Sequence, residues 1–311
     1  MKSFTLPGTD IEVPNVVLGL MRIQDKTDEE VRTLVNTARD AGITFLDHAD
    51  VYGSSLHGCE RRFAEALKLT SSEREQFIIQ SKAGIVTKDG PYFDFSYEHI
   101  VESVNGSLDA LGTDYLDILL LHRPDALVEP EEVARAFDEL SAAGKVRAFG
   151  VSNQTPGQIG LLRKNVTQPI VANQLQLSIT HAPMVAQGIA ANMQGLDQSI
   201  VRDDGIVDYC RLHDITIQAW SPFQAGFFDG PFLGSARYPE LNAAIDRLAQ
   251  KYEVPGEAIA VAWITRHPAQ MQVVLGTTTP DRVTAAALGS DLPLTRAEWY
   301  ELLRAAGYTV P

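Results

Sequence analysis

Short apolar runs rich in β-branched residues alternate with longer amphipathic stretches along this 311-residue chain. The runs fall at residues 16–20, 44–49, 77–81, 116–121, 146–151, 170–175, 216–220 and 273–275. Gly, Pro or polar residues bound each of them, as they bound strands. The stretches between carry helix signals. Thr27 and Glu30 frame a capping box, Val31, Leu34, Val35 and Ala38 follow at helical spacing, and Gly42 sits where a left-handed C-terminal residue belongs. Ser96 caps a second helix carrying Ile100, Val104, Leu108 and Leu111, which Gly112 stops. Pro130 opens a third, with Val133, Phe137 and Leu140 on one face and Gly144 beyond it. Thr295 and Glu298 form another capping box ahead of Leu302.

Eight strands alternating with helices predict an α/β protein with a parallel sheet inside a sheath of helices. Eight is also the number that closes a (β/α)8 TIM barrel, whose usual size is about 250 residues. The surplus lies in an N-terminal β-hairpin, FTLPGTDIEV, and in long loops at the C-terminal face, residues 180–204 and 222–238. One barrel domain over residues 1–311 is expected. The rival, an open doubly wound sheet, lacks its glycine fingerprint: GLMRI follows the first run instead of GxGxxG.

Composition narrows the partners. The chain is 45% hydrophobic and 21% charged, enough for a large core, with a formal net charge of −14. Such a surface repels phosphate backbones, so no nucleic acid and no anionic membrane is expected as a partner. Two cysteines, Cys59 and Cys210, make neither a disulfide framework nor a CxxC metal spacing, and no metal is expected. The residues MKSFTLPGTDIEV carry no apolar signal segment, and no run of 18 apolar residues occurs. A cytoplasmic location is expected.

In a barrel the reactive residues gather at the C-terminal ends of the strands. Here those ends read FLDHADVY, QSKAG, LLLHRPD, GVSNQ, NQLQLS and AWSPF. Each residue has an ordinary reading on its own. Asp47 could cap a helix, Tyr52 pack as an aromatic, Lys82 end a strand in solvent, and His122 and Trp220 sit in the core. The barrel puts all five on one rim. His48 and Asp50 read as polar loop residues, and Cys59 as a small helix residue.

The order of these motifs resembles the aldo-keto reductase family, in the form of its general bacterial branch. The resemblance rests on Phe45, Asp47, Ala49 and Tyr52, then Ser81-Lys82, Leu120-Leu121-His122, and GVSN at 150–153. Asn173-Gln174, AWSP at 219–222 and GTT at 276–278 complete it, so it covers nearly the whole chain. It implies NADPH-dependent, reversible reduction of an aldehyde or ketone, with hydride from nicotinamide C4 and the proton from Tyr52. A free tyrosine has a pKa of about 10, and a nearby ammonium lowers it. Lys82 would do this to Tyr52, Asp47 would hold Lys82, and His122 would bond the substrate oxygen.

The resemblance also implies a cofactor site. Ser152, Asn153 and Gln174 would hold the nicotinamide carboxamide, and Trp220 would stack on its ring. Ser221, Phe223 and the Gly226 backbone would cradle the pyrophosphate, with Gly276, Thr277 and Thr278 nearby. Arg282 would meet the 2′-phosphate. The chain departs from the family pattern at Thr279, where lysine often stands, and at Ala286, where Asn or Glu meets adenine. NADPH is expected, with NADH as a second cofactor. Met21, Arg22, Tyr92, Phe93 and Arg123 follow strand ends and are candidate contacts for a small-molecule carbonyl substrate. Arg22 and Arg123 would suit an acidic substrate or pair with a local carboxylate. Phe223, Phe227, Phe228 and Phe232 would be satellite core or a strap over the cofactor, and residues 180–204 padding or a pocket wall. A monomer or weak homo-oligomer is expected. Two alternatives stand beside this reading: a non-catalytic NADPH-binding redox-sensing subunit, and a Schiff-base aldolase using Lys82.

Overall fold

The computed structural model describes residues 1–87, 91–226 and 229–310. Phe227 and Phe228 lie outside the described residues. A short antiparallel hairpin, β1 (Ser3–Thr5) and β2 (Glu12–Pro14), comes first, as the FTLPGTDIEV stretch predicts. Eight parallel strands then close a barrel in sequence order, interrupted only by a second small hairpin. They are β3 (Val16–Gly19), β4 (Phe45–Asp47), β5 (Ile78–Ala83), β8 (Leu116–Leu121), β9 (Val146–Ser152), β10 (Ile170–Gln176), β11 (Thr216–Trp220) and β12 (Gln272–Leu275). The interrupting hairpin, β6 (Ile85–Val86) and β7 (Tyr92–Phe93), was not expected from the pattern, because two-residue strands carry no period.

The helices are α1 (Asp28–Asp40), α2 (Gly58–Leu67), α3 (Ser71–Arg74), α4 (Tyr97–Leu111), α5 (Pro130–Ala142) and α6 (Pro156–Leu162). After them come α7 (Pro183–Ile189), α8 (Ile206–Leu212), α9 (Pro239–Tyr252), α10 (Gly256–Thr265), α11 (Pro280–Ala287) and α12 (Arg296–Ala305). The capping boxes of Thr27–Glu30 and Thr295–Glu298 are both formed, and Gly42 and Gly112 adopt positive φ where their helices end. Thr70 with Glu73 and Thr155 with Gln158 add two more boxes. A cap of this kind stabilises its helix by about 1 kcal/mol. None of the described helices is long and apolar enough to cross a membrane.

The strand pleat sorts side chains into two cores. Val17, Phe45, Ile118, Leu120, Ala148 and Val274 fill the barrel, and Leu6, Ile11 and Val13 of the N-terminal hairpin pack with them. Leu18, Leu46, Ile79, Leu119, Leu121 and Phe149 point outward and meet the helices. Position parity along each strand therefore decides which environment a residue meets, and the site depends on that parity.

Candidate active site

Asp47, two residues beyond the inward Phe45, also points into the barrel. Lys82 reaches it from the neighbouring strand β5. The Lys82 ammonium donates to both Asp47 oxygens at 2.7 Å, to the His48 carbonyl at 2.7 Å and to the Tyr52 hydroxyl at 3.1 Å. Lys82 is fully buried. Burial alone would lower its pKa, but Asp47 and Tyr52 outweigh burial and the pKa ends raised, so the ammonium keeps its proton. Tyr52 ends with its pKa raised: burial is the largest cause, Lys82 opposes it, and Asp47 adds to it. The expected lowering by Lys82 is present but outweighed, so the phenol holds its proton at neutral pH. His122, at the end of β8, stacks edge-on against Tyr52 at 5.7 Å. Burial, with help from Lys82 and Arg123, pushes its pKa well below the ordinary value, leaving a neutral imidazole.

Beneath these groups lies a belt of four glutamines, of which only Gln174 was expected at the site. Gln80, Gln174, Gln218 and Gln272 point inward from four strands at facing registers: Gln80 opposite Asp47, Gln174 opposite Gln218, Gln218 opposite Gln272. Gln80 donates to Asp47 Oδ1 at 2.6 Å and Gln174 donates to it at 3.0 Å. Gln80 and Gln218 exchange hydrogen bonds at 3.0 and 3.1 Å, Gln218 donates to Gln272 at 3.0 Å, and Gln272 to the Pro14 carbonyl at 2.7 Å. The signal was available: a glutamine at an inward position of a run that is otherwise apolar. Four such residues satisfy one another, as buried amides must.

On the outer side of the same stretch, His48 and Asp50 are fully buried, not solvated as a polar loop would be. Neither ring nitrogen of His48 has a hydrogen-bond partner, and the Asp50 carboxyl has only weak support, from the Ser103 hydroxyl and the Val51 amide. Burial lowers His48 to about 4. Burial, reinforced by Glu60, raises Asp50 to about 7. Glu60, on the barrel-facing side of α2, accepts from Ser81 Oγ at 2.6 Å and pairs with His57 Nδ1 at 2.6 Å. A Cβ at Gly106 on α4 would come within 2.4 Å of His57 Nε2, so glycine there makes room for the ring. Cys59 is a buried free thiol on α2, and burial raises its pKa.

A cavity of about 620 Å³ opens over the reactive groups. Its lining includes Asp47, Tyr52 and His122, with Lys82 just beneath the surface. Of the expected cofactor residues, Ser152, Asn153, Gln174, Trp220, Ser221, Phe223, Gly276, Thr277, Thr278 and Arg282 line it. Gly226 does not. Nor do Tyr92 and Phe93, which are exposed on the β6–β7 hairpin. Met21, Arg22 and Arg123 do line it. The sequence reading missed Gln224, Pro231, Leu233 and Glu257 on the wall. Among the described residues of 180–204 none lines the cavity. That segment instead packs on the C-terminal end, with Ala182 donating to Tyr308 at 2.7 Å and Gln198 exchanging hydrogen bonds with Thr309.

The wall suits a dinucleotide. Asn153 has φ 57° and Ser221 φ 55°, a left-handed conformation that is costly outside glycine and favours local function. Trp220 Nε1 donates to Asn153 Oδ1 at 3.1 Å, fixing the indole as one face of the cavity. An added Cβ at Gly276 would meet nothing within 4 Å, leaving its backbone open to a ligand. Arg282 has no ion pair among the described residues. Ala286 is fully buried in α11 and faces the core rather than the cavity.

The closed parallel barrel thus brings a buried Asp–Lys–Tyr chain and an imidazole to the floor of one cavity. The chain matches the Aldo/keto reductase family over residues 15–305 and belongs to it. It is 34% identical over its whole length to Oxidoreductase YdhF of Escherichia coli, also matched over its whole length. It is 33% identical to the 6-dehydroglucose reductase of Agrobacterium fabrum, over 94% of each chain. Its fold is shared with the crystal structure of the thermostable aldo-keto reductase Tm1743 in complex with the inhibitor epalrestat. That match has a TM-score of 0.76 at 22% identity, covering 98% of this chain and all of that one. The family carries out NADP(H)-dependent carbonyl reduction.

Proposed function

We propose that this protein reduces an aldehyde or ketone to the alcohol with NADPH, reversibly, in a single barrel domain. The observation that carries the reading is the Lys82 ammonium, shared between both oxygens of Asp47 and the Tyr52 hydroxyl. Bound nicotinamide supplies the hydride. Tyr52 donates the proton to the carbonyl oxygen. Lys82 steadies the phenolate that remains, and its own charge is balanced by Asp47. Neutral His122 bonds the same oxygen and holds the carbonyl for transfer. Ser152, Asn153 and Gln174 would hold the carboxamide, Trp220 the ring, and Ser221, Phe223 and Gly276 the phosphates.

Arg282 favours the 2′-phosphate, while Glu257 on the same wall and the missing lysine at Thr279 disfavour it. NADPH is the preferred cofactor and NADH a weaker one. Tryptophan fluorescence titration with each dinucleotide checks this, and tighter binding of NADH would overturn it. The name of the Agrobacterium fabrum relative makes sugar-derived aldehydes the first substrates to try. A panel of sugars, diketones and aromatic aldehydes, followed by loss of NADPH absorbance, tests the activity. No turnover across the panel despite tight NADPH binding would favour a sensing subunit instead.

A further inference from the structure

Arg123 directly follows His122 and lines the cavity together with Tyr52 and Trp220. Its side chain is half-buried, and the guanidinium lies 5.7 Å from the Trp220 ring centre. Burial lowers its pKa, and Tyr52 is the group that opposes this, so the charge sits near the proton donor. Among the described residues no carboxylate comes within ion-pair distance of it. The nearest acid in sequence, Asp125, is already committed: it accepts from the Phe95 amide at 2.9 Å and from the Leu127 amide at 2.8 Å. The local-carboxylate reading of Arg123 therefore fails.

Elsewhere the chain treats a buried arginine differently. Arg74 pairs with Asp117 at 2.9 Å and also donates to the Phe77 and Tyr115 carbonyls. A half-desolvated guanidinium with no acceptor is costly in a folded protein, and a ligand that brings the acceptor removes the cost. Arg123 lines the same cavity as His122 and Tyr52, so it is available to the rest of a substrate whose carbonyl oxygen those two would hold.

We propose that Arg123 selects carbonyl substrates carrying an oxygen acceptor, a hydroxyl or a carboxylate, on the carbon next to the carbonyl. The inference rests on the reductase reading and names the substrate class of that same site. The arginine fork meets a carboxylate through two parallel hydrogen bonds and a hydroxyl oxygen through one N–H, and either contact favours one face of the carbonyl.

The test compares glycolaldehyde and glyoxylate with propionaldehyde, which carries a methyl group where the others carry oxygen. The readout is the ratio of kcat/KM values, in which the hydration of each aldehyde cancels between enzyme variants. Arg123→Met is expected to lower the ratio of oxygenated probe to propionaldehyde by about 10- to 100-fold relative to the unaltered protein, the usual value of a hydrogen bond to a charged group. Arg123→Lys is expected to retain part of the glyoxylate preference and little of the glycolaldehyde preference, which separates charge from fork. NADPH dissociation constants are measured alongside. Equal losses on all three probes, or weakened NADPH binding in Arg123→Met, would overturn the assignment in favour of a cofactor or folding role. Absence of Tyr52-dependent turnover of every probe would instead remove the reductase reading, and this inference with it.

Discussion

Asp47 and Asp50 stand three residues apart, and both are buried, yet their surroundings are opposite. Asp47 points into the barrel and accepts from Lys82, Gln80 and Gln174. Asp50 lies on the outer side, between the barrel and its helices, with no cation bound to it among the described residues and only the Ser103 hydroxyl and the Val51 amide near its oxygens. The pleat delivers the first to a polar belt, and the turn after β4 delivers the second to the outer side, where Glu60, His57 and Ser103 are its polar neighbours. One carboxylate is met by an ammonium and two amide donors. The other is driven toward its neutral form by burial and by Glu60. Density of ionisable groups is thus a poor guide to how each of them is held, and the face they occupy is a better one.

The sharpest break of the inward side is Tyr52→Phe. It deletes the proton donor and leaves the cavity wall intact. Loss of turnover by about 10²- to 10⁴-fold is expected, the range for a general acid, with NADPH binding preserved. Stopped-flow hydride transfer and fluorescence titration check the two halves separately. Retention of most of kcat would sink the mechanism. Lys82→Met is a harsher change, because it leaves the Asp47 charge buried without its partner. It is expected to destabilise the fold by about 3–5 kcal/mol as well as to abolish turnover. A thermal melt close to that of the unaltered protein would contradict the buried ion pair.

The outward side is broken by Asp50→Asn, and here the effect is on stability and depends on pH. The folded pKa of about 7 lies above the ordinary 3.8, so the folded state binds the extra proton between those values. The contribution of Asp50 is most favourable below about pH 4, falls as pH rises, and is a full penalty above about pH 7. That span corresponds to at most about 4 kcal/mol. His48 has the opposite slope. Its pKa falls from 6.5 to about 4, so its neutral burial loses stability as pH drops through that window. The two offset one another between about pH 4 and pH 6.5. Asp50→Asn is expected to raise the melting temperature by several degrees at pH 8 and by little at pH 4. A gain that is equal at both pH values would refute the titration.

The architecture was legible because its signals are periodic or local. Eight apolar runs, the capping boxes at Thr27 and Thr295, and the glycine stops at Gly42 and Gly112 needed no knowledge of what each helix packs against. The inward register of Asp47, Tyr52, Lys82 and His122 followed from the order of motifs around one rim. What stayed hidden depends on contacts distant in sequence. Gln80 and Gln218 are hydrogen-bonded across 138 residues. Glu257 reaches the cavity from the start of α10, where an acidic residue reads as a helix-end preference. The burial of His48 and Asp50 was concealed because polar residues after a strand usually mark a loop. Tyr92 and Phe93 misled for the converse reason: aromatic residues after a strand suggested a pocket wall, and the small hairpin holds them in solvent.

The subtlest break of the comparison is Gln80→Leu, which moves the inward side toward the condition of the outward one. The substitution removes the 2.6 Å donor to Asp47 Oδ1 and keeps Lys82 and Gln174 on it. Gln218 retains Gln174 and Gln272 as partners, so the fold should lose only about 1–2 kcal/mol. With one donor fewer, the Asp47 charge is less neutralised and its field on Tyr52 grows. Asp47 already raises the Tyr52 pKa, so the phenol should become still harder to ionise. Alcohol oxidation needs the phenolate, and its alkaline limb should move to higher pH by less than about one unit. Carbonyl reduction needs the phenol, and its activity should extend further into alkaline solution by the same amount. A lowered melting temperature with an unmoved limb in both directions would mean that the glutamine belt only fills the barrel, and that Asp47 owes its charge balance to Lys82 alone.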